Sequence, residues 1–259
     1  MRLSASKIKA FKSCRRMYQL HYVEGLTPVK PAEALETGSN YHKLIEGLYK
    51  SDGVLLQRDA GGWTKELAMA TAYAKYIYPK FGVIKTEQYV EYDLGNGDKM
   101  IGYVDAIAED GHIVEHKTTS SEITEQYEYN LLWDEQILAY MLMTGSRKVW
   151  YTICRKPTIR QKQNETDEEF FSRMVEWYDT DTESKIRLLE IERTDEEVAD
   201  YEVDLHVMLA TMQEATQQRN YYRNPCQCNV YGRRCEYSSV CLHYDPKQQY
   251  IEFIKEGKK

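Results

Sequence analysis

Asp105, Glu115 and Lys117 lie in GYVDAIAEDGHIVEHKTTS (102–120), where alternating polarity reads as two strands joined by a tight turn. Glu115 and Lys117 are two apart and share one strand face. A two-residue Asp110-Gly111 turn would pair Asp105 with His116 and point the acid away from Glu115. A three-residue loop, Glu109-Asp110-Gly111 with Gly111 left-handed, sets Asp105 opposite Glu115; glycine suits that last position. This loop, or a bulge with the same effect, is the expected geometry. Two neighbouring carboxylates raise each other's pKa unless a cation lies between them. Such an oxygen pair suits Mg²⁺ or Mn²⁺. The Lys117 ammonium could then orient an attacking water or neutralise charge developing on a phosphate. A solvated hairpin with a Glu–Lys pair would use the same residues, so the flanking segments decide.

His42 and Glu46, in GSNYHKLIEGLY, are four apart on one face of a helix expected to start near Thr37 or Ser39. Imidazole is the natural third ligand beside two carboxylates. Gln136 and Tyr140, in DEQILAY, repeat that spacing on a helix expected over about 130–143. There they could bond a phosphate, hold Lys117, or pack as a buried amphipathic pair. Glu87, upstream of the first strand, is a further acid available to the metal site.

The elements that must position these groups follow from the pattern. Ser4 caps an opening helix whose apolar face is Ile8, Phe11, Tyr18 and Tyr22, and another helix covers about 65–78. EQYVEYDL (87–94) and KMIGYVDAIA (99–108) flank a GNGD hairpin turn, and HIVEHKTT (112–119) is the third strand. KVWYTICR (148–155) is the near-continuous apolar run of a buried strand. The helix before it is a crossover, so this strand should run parallel to its predecessor. Residues 156–183 read as loop plus one short helix, 185–193 as a further strand, and Thr194 caps a long helix reaching about Arg219.

The chain has 259 residues, 42% of them apolar, with six prolines, as expected of one folded globular domain. Within it, 85–156 form the core sheet and crossover helix, 1–84 the N-terminal helices, and 157–259 a C-terminal helical annex with a cysteine-rich tail. Tyrosine is abundant at 22 residues against 5 phenylalanines, enough to line helix interfaces and to stack on bases. A net charge of −7 excludes a broadly basic nucleic-acid surface but permits a local one. No apolar run approaches a membrane span and no signal-peptide core is present. A cytoplasmic protein is expected, where six cysteines suggest metal ligands before disulfides.

The ordered set His42, Gly102-Tyr103-Val104-Asp105, Glu115-His116-Lys117 and Gln136-Ile137-Leu138-Ala139-Tyr140 resembles the RecB-type branch of the PD-(D/E)XK nuclease superfamily. The opening LSASKIKAFKSCRRMYQLHY is similar to the first helix of that group. Val104 stands where the proline in the superfamily's name would be. The resemblance implies an α/β, restriction-endonuclease-like core: helix, three-stranded antiparallel meander, crossover helix, parallel strand. It also implies a helical annex clamped by a metal cluster. By the same resemblance His42, Asp105 and Glu115 hold Mg²⁺ or Mn²⁺, Lys117 assists hydrolysis, and Gln136 and Tyr140 support the site or contact DNA. The implied activity is a metal-dependent deoxyribonuclease, an exonuclease before an endonuclease, acting on single-stranded DNA or duplex ends. Its setting would be recombination, repair or phage replication, with partner proteins of those machines. The alternative is a non-catalytic DNA-binding or assembly subunit that keeps the fold and cluster.

Cys226, Cys228, Cys235 and Cys241 crowd into NPCQCNVYGRRCEYSSVC. The paired knuckles of a zinc ribbon are missing, as is the closely spaced ferredoxin run. Members of the RecB-type branch hold a [4Fe–4S] cluster with one N-terminal and three C-terminal cysteines. The resemblance therefore assigns Cys14, Cys228, Cys235 and Cys241, with Cys226 competing for the place of Cys228. Zn²⁺ in the same thiolates is the alternative. Closing so long a loop makes the group a staple before a redox centre. Cys154, in the buried strand, reads as a small apolar residue. Arg15, Arg16, Arg233 and Arg234 flank the cluster cysteines, either as a local grip on the DNA backbone or as an offset to the cluster's negative charge.

Overall fold

In the computed structural model of the chain, the structure describes residues 1–29, 33–55, 62–230, 232–242 and 253–255. From the N-terminus the elements are β1 (Arg2–Leu3), α1 (Ala5–Ser13), α2 (Arg15–Tyr18), β2 (Leu26–Pro28), α3 (Glu33–Lys50) and α4 (Lys65–Tyr76). Then come β3 (Val83–Gly95), β4 (Asp98–Ala108), β5 (Ile113–Thr119), α5 (Glu125–Leu131), α6 (Glu135–Thr144), β6 (Lys148–Arg155) and α7 (Asp167–Asp179). The last are β7 (Ile186–Glu192), α8 (Asp195–Gln218), β8 (Asn229–Val230), β9 (Arg233–Arg234), α9 (Ser238–Cys241) and β10 (Phe253–Lys255). By contact the chain forms two compact units: 33–92 with 101–198, and 1–32 with 93–100 and 199–259. This division differs from the sequence-based segments, because the N-terminal 32 residues cluster with the C-terminal region and not with α3 and α4.

In the first unit, the β4–β5 connection has the three-residue form. The Ala108 N–H donates to the His112 carbonyl at 3.0 Å, and Gly111 has φ 84°. The turn before β4, which belongs to the second unit, is the Asn-Gly type, with Asn96 at φ 53° and Gly97 at φ 79°. The strands are ordered β4-β5-β6-β7, with β3 also on β4. β5 and β6 are parallel, as a crossover requires, while β4–β5 and β6–β7 are antiparallel.

Alternation along β6 splits the core into two layers. Val149, Tyr151 and Ile153 pack with Ile137, Tyr140 and Met141 of α6, whereas Cys154 joins Tyr41 and Ile45 of α3, Tyr73 of α4 and Tyr178 of α7. The sheet is thus covered by helices on both faces, a mixed α/β arrangement consistent with a restriction-endonuclease-like core. The crossover is two helices, not the single one expected. Asp134 restarts the chain by capping α6, its carboxylate accepting the Gln136 N–H at 3.1 Å. α7 is longer than expected and carries a full Thr166–Glu169 capping box.

In the second unit, the opening helix is capped by Ser4 as expected, but it is interrupted at Cys14, which is extended at φ −159° and ψ 113°. The chain resumes as α2 and a π-turn over Gln19–Val23. Asn224 satisfies the groups freed by the break: its side-chain amide donates to the Ser13 carbonyl at 2.8 Å, and its N–H to Cys14 Sγ at 3.4 Å. β1 pairs in parallel with β4 at Lys99 and Met100, and β10 pairs antiparallel with β2; no sequence pattern announced either strand. At the end of the first unit, Thr194 and Glu197 form a reciprocal cap at the start of α8.

Gly111→Ala should isolate the backbone requirement of the site-bearing hairpin. An added Cβ meets no atom within 4 Å, so only the left-handed conformation resists it. The expected loss is about 1–2 kcal/mol of unfolding free energy, read from denaturant midpoints.

Candidate functional site

α3, β3 and β4 converge at one point. Donor atoms of His42, Glu87 and Asp105 all lie within 4.8 Å of one another. His42 Nδ1 is 3.2 Å from Asp105 Oδ1. The β4–β5 ladder pairs Ile107 with Ile113 and Ala106 with Val114, a register that continues to Asp105 opposite Glu115. There the ladder stops: the His116 N–H donates to Asp105 Oδ2 at 2.7 Å, so a side chain takes the bond that a β4 carbonyl would otherwise accept. Glu87 reaches the group from inside β3 with φ 47°, a left-handed residue in an extended strand.

The charges are interdependent. Burial works against an ionised Asp105, but the hydrogen bond and charge of His42 outweigh it and hold the carboxyl below its ordinary value. Burial likewise opposes a charged His42, yet Asp105, Glu115 and Glu87 together raise its pKa. Glu87 is raised by burial and by Asp105 and Glu46. Glu46, expected beside His42, is paired with Lys50 at 2.5 Å.

Glu115 is buried next to this group. Its Oε1 accepts from Lys117 Nζ at 2.8 Å, while its Oε2 is buried with no hydrogen-bond partner. Burial and then the Asp105 carboxylate push Glu115 up to about 8. Burial also opposes the Lys117 charge, but Glu115 and Asp134 outweigh it and keep the ammonium protonated. Lys117 Nζ further donates to Gln136 Oε1 at 3.0 Å and lies 3.1 Å from Asp134 Oδ2. Gln136 Nε2 donates to the Tyr140 hydroxyl at 2.8 Å, and that hydroxyl donates to the Tyr103 carbonyl at 2.6 Å. Gln136 and Tyr140 therefore fix Lys117 from α6. Gly102 makes room for this chain, since a Cβ there would sit 2.8 Å from the Tyr140 ring and 3.1 Å from Met143. His116 is buried, bonds Thr152 through Nδ1 at 2.6 Å, and is lowered by burial to about 4, so it stays neutral.

The donor set fits a divalent cation. It offers carboxylate oxygens and one imidazole, and its orphaned Glu115 Oε2 and mutually repelling acids are what such an ion relieves. His42 and Asp105 meet as expected. Glu87 replaces Glu115 in the tightest group, and Glu115 stands between that group and Lys117. Asp134 was missed by sequence reasoning. Its signal was the run Trp133-Asp134-Glu135-Gln136, an acid just before an acidic first turn, which marks a helix N-cap.

Apart from Cys154, the cysteines lie in the other unit. Burial raises the Cys228 thiol, and Cys241, Cys14 and Cys226 raise it further; burial also raises Cys235, with Cys228, Cys14 and Cys241 adding to it. Cys226 and Cys228 are both exposed. The Arg15 guanidinium lies 4.7 Å from the ring centres of both Phe11 and Tyr222, and Arg16 donates to Gln19 at 2.6 Å. Arg233 and Arg234 are exposed on β9.

The family model of the PD-(D/E)XK nuclease superfamily matches residues 2–242. No curated protein matches. Among solved structures, a candidate exonuclease from Eubacterium rectale is similar at 14% identity with a TM-score of 0.52, covering 96% of this chain and 90% of its own. A phage-related exonuclease from Haemophilus somnus 129PT is similar at 13% identity and TM-score 0.41, covering 78% of this chain and 93% of its own. The alkaline exonuclease of Laribacter hongkongensis is similar at 15% identity and TM-score 0.38, covering 84% and 91%.

Two substitutions test the α6 brace. Tyr140→Phe leaves the Tyr103 carbonyl without its donor and should cost about 1–3 kcal/mol. Gly102→Ala, which displaces the same ring, should cost at least as much, with both read by chemical denaturation.

Proposed function

Because the chain belongs to the PD-(D/E)XK nuclease superfamily, we propose that it is a metal-dependent deoxyribonuclease acting as an exonuclease on DNA ends. The observation that carries this reading is the buried Glu115, paired with half-buried Lys117 and set beside His42, Glu87 and Asp105. A buried carboxylate with an unbonded oxygen is costly to stability, and a site for a cation and a phosphate explains its retention. His42, Glu87, Asp105 and Glu115 are the residues that would hold Mg²⁺ or Mn²⁺. When bound, such an ion polarises the phosphodiester and supplies an activated water.

The chain's own groups do the positioning. Lys117, kept charged by Glu115 and Asp134, stabilises negative charge developing on the phosphate. Gln136 and Asp134 limit where its Nζ can go, and Tyr140 fixes Gln136. The exonuclease assignment is supported by the fold shared with the Eubacterium rectale protein. The RecB-type branch and a role in recombination, repair or phage replication belong to the same proposal. No described helix is long and apolar enough to cross a membrane.

The cysteine group is proposed as a [4Fe–4S] staple held by Cys14, Cys228, Cys235 and Cys241, with Cys226 the alternative to Cys228; the mutual influence of these five thiols supports their gathering. Arg233 and Arg234 are exposed on β9, which supports their meeting a DNA backbone; Arg15 stacks on Tyr222 and Arg16 bonds Gln19. The non-catalytic alternative leaves the Glu115, Lys117 and Asp134 charges without a use.

Three outcomes are expected. With Mg²⁺ or Mn²⁺ the protein should degrade end-labelled linear DNA and spare closed circles, and a chelator should stop it. Lys117→Ala or Asp105→Asn should lower cleavage by roughly 10²–10³-fold or more, with the circular-dichroism spectrum unchanged; full activity in either would refute the assignment. Anaerobically purified protein should be brown and lose its colour in Cys14→Ser, whereas a colourless protein with stoichiometric zinc would replace the cluster by Zn²⁺.

A further inference from the structure

The connection between α5 and α6 places large apolar side chains in water. Trp133 is 73% exposed, Tyr129 54% and Leu132 39%. Single exposed apolar side chains are ordinary, but two aromatics and a leucine so close in sequence form a patch. The two rings meet edge to face, with centroids 6.3 Å apart.

The segment is not a loose loop. The Leu132, Trp133 and Asp134 N–H groups donate back to Tyr129, Asn130 and Leu131, closing a continuous turn. Arg193 donates to the Leu132 carbonyl, and Arg187 pairs with Glu128 of α5. An indole held out on a braced backbone has lost little freedom for a ligand to take away, which favours binding.

Its position gives the patch an occupant. The residue after Trp133 is Asp134, whose carboxylate lies 3.1 Å from Lys117 Nζ and accepts from the Tyr151 hydroxyl at 3.2 Å. The patch therefore adjoins the ammonium proposed to meet the scissile phosphate. A nucleotide whose phosphate sits at Lys117 carries its base beyond the ribose, and Trp133, one residue from Asp134, is an exposed ring bordering that ammonium. Aromatic side chains beside a phosphate-binding cation are the arrangement that holds single strands. Bases in a duplex have their faces covered by neighbours, so only unpaired ones can use this surface.

Resting on the nuclease reading above, we infer that Tyr129 and Trp133 form a stacking platform for unpaired bases next to the scissile phosphate, so that the protein engages a single-stranded DNA segment. Leu132 extends its apolar margin.

The test is binding by the full chain carrying Asp105→Asn, so that Lys117 stays in place and DNA is held and not cut. Fluorescein-labelled single-stranded oligonucleotides are compared with abasic strands of equal length and charge. The normal strand should bind roughly ten- to hundredfold tighter than the abasic one. Adding Trp133→Ala should erase that difference by weakening only the normal strand, and Trp133→Phe should keep most of it. Thermal melting should be the same in all three, because the side chain is exposed. Equal binding of normal and abasic strands before substitution, or an undiminished preference after Trp133→Ala, overturns the platform. Cleavage by the unsubstituted chain is measured separately. Cutting without base preference rejects the platform alone, and base preference without cutting rejects the nuclease reading alone.

Discussion

Where β4 and β5 part, the carboxylate of Asp105 accepts the His116 N–H in place of a backbone carbonyl. One side chain therefore does two things: it closes the hydrogen-bond account of a diverging strand pair and presents its other oxygen to His42. Strand divergence opens space between the acids, and the substitute bond keeps the buried N–H from being orphaned. The rest of the site follows from that opening. Glu115 Oε2 is left buried without a hydrogen-bond partner, its Oε1 accepts from Lys117, and α6 supplies the groups that fix the ammonium.

The electrostatic balance is consistent with this arrangement. Three acids and a lysine are gathered where burial penalises charge, and the imidazole of His42 stays basic because acids surround it. His116, one residue from Glu115, has the opposite character: it is buried, bonded to Thr152 and neutral. Adjacent positions on one strand thus serve separate layers, one polar and one part of the packing under α3 and α4.

Much of this was legible in the sequence because local chemistry determined it. Gly111 sets the loop length, and loop length sets which residue faces Glu115. The apolar run of β6 and the crossover before it give the parallel pairing. The i, i+4 spacing of Gln136 and Tyr140 put both on one side of a helix, where they do form one chain of bonds. Other features depend on distant partners and left no periodic trace. Glu87 joins His42 and Asp105 through a strained backbone that no propensity announces. The interruption at Cys14 falls inside a good helical pattern and is stabilised by Asn224. Two-residue strands such as β1 are too short to carry alternation. The cap at Asp134 is different: its signal was present in the residues before α6 and was absorbed into a longer helix.

The Asn224 contacts with Ser13 and Cys14 join positions 210 and 211 apart in sequence. Closing so long a loop carries a larger entropy cost than the local bonds of the helix itself, so the interrupted form of the first helix depends on the far part of its own unit being in place.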